Sequence, residues 1–172
     1  MHNFPSTIHP DLIIAYGFAY KPSGLIPKNF VLEKESQKYA ACELEMNNRP
    51  IRFRVAKITP TKIGQFVTLW KRIGDGPILP YDMADSVDLF VVSVRSVEHF
   101  GQFIFPKTIL YEKGFISKDR KGGKRAMRVY PPWDITDSKQ AQKTQAWQLL
   151  YFIDIPSNGT VDIDRIKKLF FE

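Results

Sequence analysis

The run Val87-Asp88-Leu89-Phe90-Val91-Val92-Ser93-Val94 constrains the fold more than any other segment, because it is apolar at both odd and even positions. A strand sends alternate side chains to opposite faces, so a run without alternation is buried on both. This segment is predicted to be a central strand, and the remaining chain must cover it on two sides. At 172 residues the chain suffices for one substantial core and falls short of two ordinary domains, so a single domain over residues 1–172 is expected. Its 44% apolar and 25% charged content is that of a globular chain and excludes a disordered or fibrous one.

Around that strand the local signals are mixed. Pro10 to Tyr16 has helical spacing, with Ser6 or Thr7 and Asp11 placed to cap its start. Tyr20 to Lys28 carries Pro22, Gly24 and Pro27 and is read as a loop. Tyr39 to Met46 and Ile51 to Lys57 alternate, and the intervening Asn47-Asn48-Arg49-Pro50 supplies turn chemistry, so the two form a hairpin with Arg52, Arg54 and Lys57 on its polar face. Gln65 to Ile73 is predicted as one strand and Pro77 to Asp85 as a long turn; Gly101 to Phe105 and Met127 to Tyr130 follow as strands. Pro106 suits the first turn of a helix over Thr108 to Tyr111. Ser138 to Leu150, capped by Asp137 or Ser138, and Asp162 to Phe171 are helices, with Trp147, Leu150, Ile163, Ile166 and Phe170 facing inward.

The lone Cys42 sits at a strand position as a small hydrophobe and forms no internal disulfide. No apolar run approaches a membrane span, and the first residues lack the pattern of a signal peptide, so a cytoplasmic protein without a membrane partner is expected. His2, His9, His99 and Cys42 are scattered without paired ligand spacing, so no metal or cofactor is expected. Gly122-Gly123-Lys124-Arg125 fails the phosphate-loop pattern and reads as a mobile basic loop, Lys118 to Lys124. No Ser or Cys nucleophile stands with a positioned His.

The net charge of +7 is unevenly distributed. Arg49 to Arg72 contains seven bases and no acid, and Lys113 to Arg128 contains seven bases against Asp119 alone. Segregated positive charge interleaved with residues that stack or hydrogen-bond points to nucleic acid. The candidate contacts are Arg52, Arg54, Lys57, Lys62, Gln65, Lys71, Arg72, Lys118, Arg120, Lys121, Lys124, Arg125 and Arg128, expected to form one positive surface. The enzymatic alternative is a Mg²⁺-dependent nuclease using Glu43 and Glu45 with Lys57, but Val55 occupies the position two residues before the lysine where such a core places an acid. A third reading is a regulator that binds protein or a small ligand, its charge serving solubility.

Phe53 to Arg72 resembles the MepB family of small bacterial proteins, and the likeness continues through Gly101-Gln102-Phe103-Ile104-Phe105-Pro106-Lys107, Gly123-Lys124-Arg125, Arg128-Val129-Tyr130-Pro131-Pro132-Trp133 and Gln145-Ala146-Trp147-Gln148. More distantly, Phe66 to Arg72 with Val87 to Val94, and Gly101 to Leu110, resemble the effector-binding domain of type IIE restriction enzymes, with the blocks in a different chain order. That resemblance implies a strand-rich DNA-binding pseudobarrel that grips a duplex without cutting it. The expected fold is α+β: a twisted, largely antiparallel sheet, closed as a pseudobarrel in one version, with helices at both chain ends. A restriction-endonuclease-like α/β core is the alternative. The expected function is non-catalytic nucleic-acid binding by a monomer.

Overall fold

The computed structural model describes residues 3–172; His2 lies outside the described residues. In chain order the elements are α1 (Pro10–Ala15), β1 (Pro27–Leu32), β2 (Cys42–Met46), β3 (Arg49–Val55), β4 (Lys57–Ile58), β5 (Gln65–Thr68), β6 (Trp70–Arg72) and β7 (Ile78–Pro80). There follow β8 (Leu89–Arg95), β9 (Phe100–Pro106), α2 (Lys107–Glu112), β10 (Ala126–Val129), α3 (Lys139–Gln148), β11 (Phe152–Asp154) and α4 (Ile163–Phe171).

The main sheet has the order β1-β2-β3-β8-β9-β11; β3 and β8 pair in parallel and the other neighbours antiparallel. As its composition requires, β8 lies inside the sheet, with Leu89 through Val94 buried. Leu89 and Val91 pack on one face under α1 and α4 with Leu12, Ile166 and Phe170. Phe90, Val92 and Val94 pack on the other with Leu110 of α2, Trp147 of α3, and Val67 and Met127 of a second sheet ordered β10-β5-β4. The fold is therefore α+β with a largely antiparallel sheet and helices at both chain ends. It is not a barrel. Edge strands β1 and β11 do not pair, because a strand buried on both faces needs two separate covering layers and a small closed barrel has one interior.

The Asn47-Asn48 turn joins β2 to β3 with both residues at positive φ, 48° and 67°, as a tight two-residue hairpin demands. Helix α1 is capped not by Ser6 or Thr7 but by His9, whose Nδ1 accepts from the Asp11 N–H at 3.1 Å. Its helical path continues to Ser23, through residues read as loop. The segment expected as one strand from Gln65 to Ile73 divides into β5 and β6, which pair in different sheets. Pro106 is the N-cap of α2 rather than part of its first turn. Leu150 is exposed and Gln148 is buried in its stead, its side chain bridging the Tyr130 N–H and the Arg128 carbonyl; Ile163 is also largely outside.

Candidate nucleic-acid interface

Strand register assembles the first site. Lys57 of β4 lies opposite Phe66 of β5, which lies opposite Arg128 of β10, so all three share the outer face of the small sheet while Val67 and Met127 turn inward. Arg128 Nη1 donates to Thr59 Oγ1 at 2.9 Å and to the Gly64 carbonyl at 3.2 Å, tying the Thr61–Ile63 loop to the sheet. Gly64 is required there, because at φ 84° a Cβ would lie 2.8 Å from the Val129 carbonyl oxygen. Between this loop, the sheet and α3 runs a groove of about 590 Å³, bordered by Lys62, Lys124, Phe66, Phe115, Tyr130 and Asp137. Lys124 Nζ stands 5.1 Å above the Phe115 ring.

Helix α3 extends the site. Gln140 and Thr144 line the groove and also a neighbouring depression of about 710 Å³, where Lys113, Lys139 and Lys143 surround Trp147. Lys113 Nζ lies 5.7 Å from that ring. Among the described residues, none of Lys57, Lys62, Lys113, Lys124, Arg125, Arg128, Lys139 and Lys143 has a carboxylate within 4.0 Å.

The other predicted contacts lie elsewhere, so the predicted set does not form one surface. Arg52 and Arg54 share a face of β3, but Arg54 is 1% exposed and ion-paired to Glu33; its Nη1 also donates to the Phe53 carbonyl at 2.9 Å and its Nη2 to the Tyr81 hydroxyl at 3.3 Å. Arg52 lies between Glu33 and Glu43, at 3.8 and 3.3 Å. Lys71 pairs with Asp85 at 2.5 Å and Arg72 with Glu35 at 2.8 Å. These residues line a cleft of about 880 Å³ in which Lys34, Arg52, Arg54, Lys71 and Arg72 stand against Glu33, Glu35, Glu43, Asp75 and Asp85. Trp70 is half-buried on its wall, with the Arg72 guanidinium 5.7 Å from the ring. Gln65 is buried and donates to the Arg95 carbonyl at 3.0 Å, which removes it from a base-reading role.

Lys118, Arg120 and Lys121 are exposed, on a loop tied down by hydrogen bonds. Asp82 accepts from the Ala84 N–H at 2.9 Å, Ser117 Oγ at 2.7 Å and the Arg120 N–H at 3.0 Å, and these donors, the Ala84 N–H foremost, hold its carboxyl down at about 2. Lys118 and Lys121 exchange backbone hydrogen bonds of 3.0 and 3.1 Å.

The three residues of the nuclease alternative do not converge. Glu43 faces Arg52, Glu45 lies 4.0 Å from Lys28, and Lys57 is in the other sheet with its Nζ 5.5 Å from the Tyr39 ring. Among the described residues no three His, Cys, Asp or Glu side chains gather as a metal would require. Cys42 is buried, and desolvation pushes its thiol up to about 11.

A family model described as MepB-like matches residues 33–154, which include the groove and all of the cleft's lining except Val31 and Leu32. The chain belongs to the MepB-like family. Among solved structures, the crystal structure of MepB is similar at 34% identity, covering 83% of this chain and 94% of that one with a TM-score of 0.73. No curated protein matches the sequence. The family match starts at Glu33, the carboxylate shared by Arg52 and Arg54, and leaves out the terminal helices α1 and α4. Sequence reasoning missed Lys139 and Lys143, which read there only as helix formers; their spacing of four puts both on one face of α3, and that signal was available. It also missed Phe66 and Phe115, which are indistinguishable from core aromatics until strand register is known.

Proposed function

We propose that this MepB-like protein binds nucleic acid along the groove over the β10-β5-β4 sheet and the adjoining face of α3. The supporting observation is the convergence there of Lys62, Lys124 and Arg128 with the rings of Phe66, Phe115 and Tyr130, the cations having no carboxylate within 4.0 Å among the described residues. Unpaired cations contact phosphates and release counterions, and adjacent rings stack on bases. Bases already matched by acids, such as Lys71 and Arg72, contribute little to such a field.

The test is fluorescence anisotropy with labelled duplex DNA, single strands and RNA across a salt series. Affinity falls steeply with salt, and the double change Lys62→Ala with Lys124→Ala lowers the slope of log K against log salt by about two units, one per lost contact. Lys71→Ala leaves the slope as it is. Absence of binding at about 50 mM salt, where electrostatic association is strong, refutes the proposal. Cleavage of the labelled strand in Mg²⁺ or Mn²⁺, abolished by Glu43→Ala or Glu45→Ala, replaces it with the nuclease reading.

A further inference from the structure

The cleft between the β2–β3 floor and the Trp70–Asp85 wall has a different chemistry from the groove, and we propose that it is a binding site for a nucleobase. Arg54 is 1% exposed at its floor, and the Nε groups of Arg54 and Arg52 are buried without a hydrogen-bond partner among the described residues. Arg54 is closed off beneath Glu33, so the guanidinium that a ligand reaches is that of Arg52, 18% exposed, and acceptors on the ligand add to its two carboxylate partners. The charged lining of the cleft is balanced, five cations against five anions, so its field does not favour a phosphate. An apolar ligand would leave the guanidinium and carboxylate edges unmet. A neutral group with acceptors beside donors meets both demands.

Arg52 Nη2 and Glu43 Oε1, 3.3 Å apart, present a donor next to an acceptor, the arrangement that reads the edge of a base. Trp70 supplies a half-buried ring on the wall for its face, and about 880 Å³ accommodates a base with its sugar.

Two sources offer this chemistry: a free nucleoside, or a base turned out of a strand held in the groove. The second source rests on the groove reading. Cleft and groove adjoin across the Ser36–Tyr39 turn, where Thr68 Oγ1 donates to Ser36 Oγ at 3.0 Å and the Tyr39 ring meets Phe66 at 6.2 Å.

Calorimetric titration of the full chain with adenosine, guanosine, cytidine and uridine, and with ribose 5-phosphate as the baseless control, tests the site. Saturable one-site binding of at least one nucleoside is expected. Trp70→Leu and the rim change Glu43→Gln each weaken it about tenfold or more while circular dichroism and melting stay native, as loss of a stacked or hydrogen-bonded base predicts. The pair Lys62→Ala and Lys124→Ala leaves it intact. If the base comes from a strand, a scanned abasic position in a bound oligonucleotide weakens binding to the native chain and not to Trp70→Leu. The proposal is overturned if no nucleoside binds and no abasic position matters, if ribose 5-phosphate competes as well as the nucleosides, or if Trp70→Leu keeps full affinity. Loss of oligonucleotide binding with nucleoside binding retained separates a failure of the groove reading from a failure of this one.

Discussion

Replacing Glu33 by Gln removes the one carboxylate that, among the described residues, pairs with Arg54, which keeps the Phe53 carbonyl at 2.9 Å and the Tyr81 hydroxyl at 3.3 Å, neither of them charged. Breaking one partner of a buried pair costs about 3–5 kcal/mol, because the remaining charge stays desolvated. Glu33 is 16% exposed, so some water reaches the pair, and the lower end, about 3 kcal/mol, is expected. At roughly 2–4 °C per kcal/mol for a chain of this length, the melting temperature drops by about 6–12 °C. The reverse change, Arg54→Met, is milder. It leaves Glu33 with Arg52 at 3.8 Å and the Tyr81 hydroxyl at 3.1 Å, and it fills the vacated volume with a flexible apolar chain. The double variant recovers at least about 1 kcal/mol relative to Glu33→Gln, since the orphaned guanidinium is gone. Urea unfolding of the four proteins, with unchanged m values, measures the cycle. A loss below about 1 kcal/mol in Glu33→Gln, or a double variant no more stable than that single one, refutes the reasoning.

Asp82 titrates near 2 in the folded chain against an ordinary value of 3.8, so its contribution to stability is complete above 3.8 and disappears as the pH falls through about 2. Amide exchange of Ser117 to Lys121 should accelerate across that interval, and Asp82→Asn should show fast exchange in this loop already at neutral pH. The Cys42 thiol, buried and raised to about 11, should resist alkylation at about pH 8 in the native chain and react promptly once urea unfolds it; fast native labelling, followed by mass spectrometry, would contradict the burial.

The legible parts of the fold were those in which local chemistry and tertiary demand coincide. The run Val87 to Val94 had to hold a central strand whatever its neighbours, and β8 occupies it from Leu89 on; Asn47-Asn48 is a turn because both residues tolerate positive φ. Ser138 caps α3 through the Ala141 N–H at 3.1 Å, as its composition implies. The illegible parts depended on partners distant in sequence. Strand β1 is mostly exposed, bulges between Lys28 and Val31 and carries Asn29 at φ 58°, so it shows no alternation. Strand β11 has three residues and exists because it pairs with Gly101 to Phe103. In Gln65 to Arg72, strand propensity is continuous and conceals the change of partner between Thr68 and Trp70.

A linear count of charge overstates the first basic window. In the Arg49–Arg72 window, Arg49 is paired to Asp88, Arg52 and Arg54 to Glu33, Lys71 to Asp85 and Arg72 to Glu35, each partner supplied from outside the window. Lys57 and Lys62 are left without a carboxylate within 4.0 Å among the described residues, whereas all seven bases between Lys113 and Arg128 are left so. Two windows with seven bases each thus play unequal parts, because acids brought in by strand pairing and by the β6–β7 hairpin neutralise most of one and, among the described residues, none of the other. Long-range attraction of a polyanion depends on uncompensated charge. Changes at the acid-paired bases of the first window should therefore register as stability and as the shape of the cleft, and changes at Lys62, Lys124 and the lysines of α3 as salt-dependent binding.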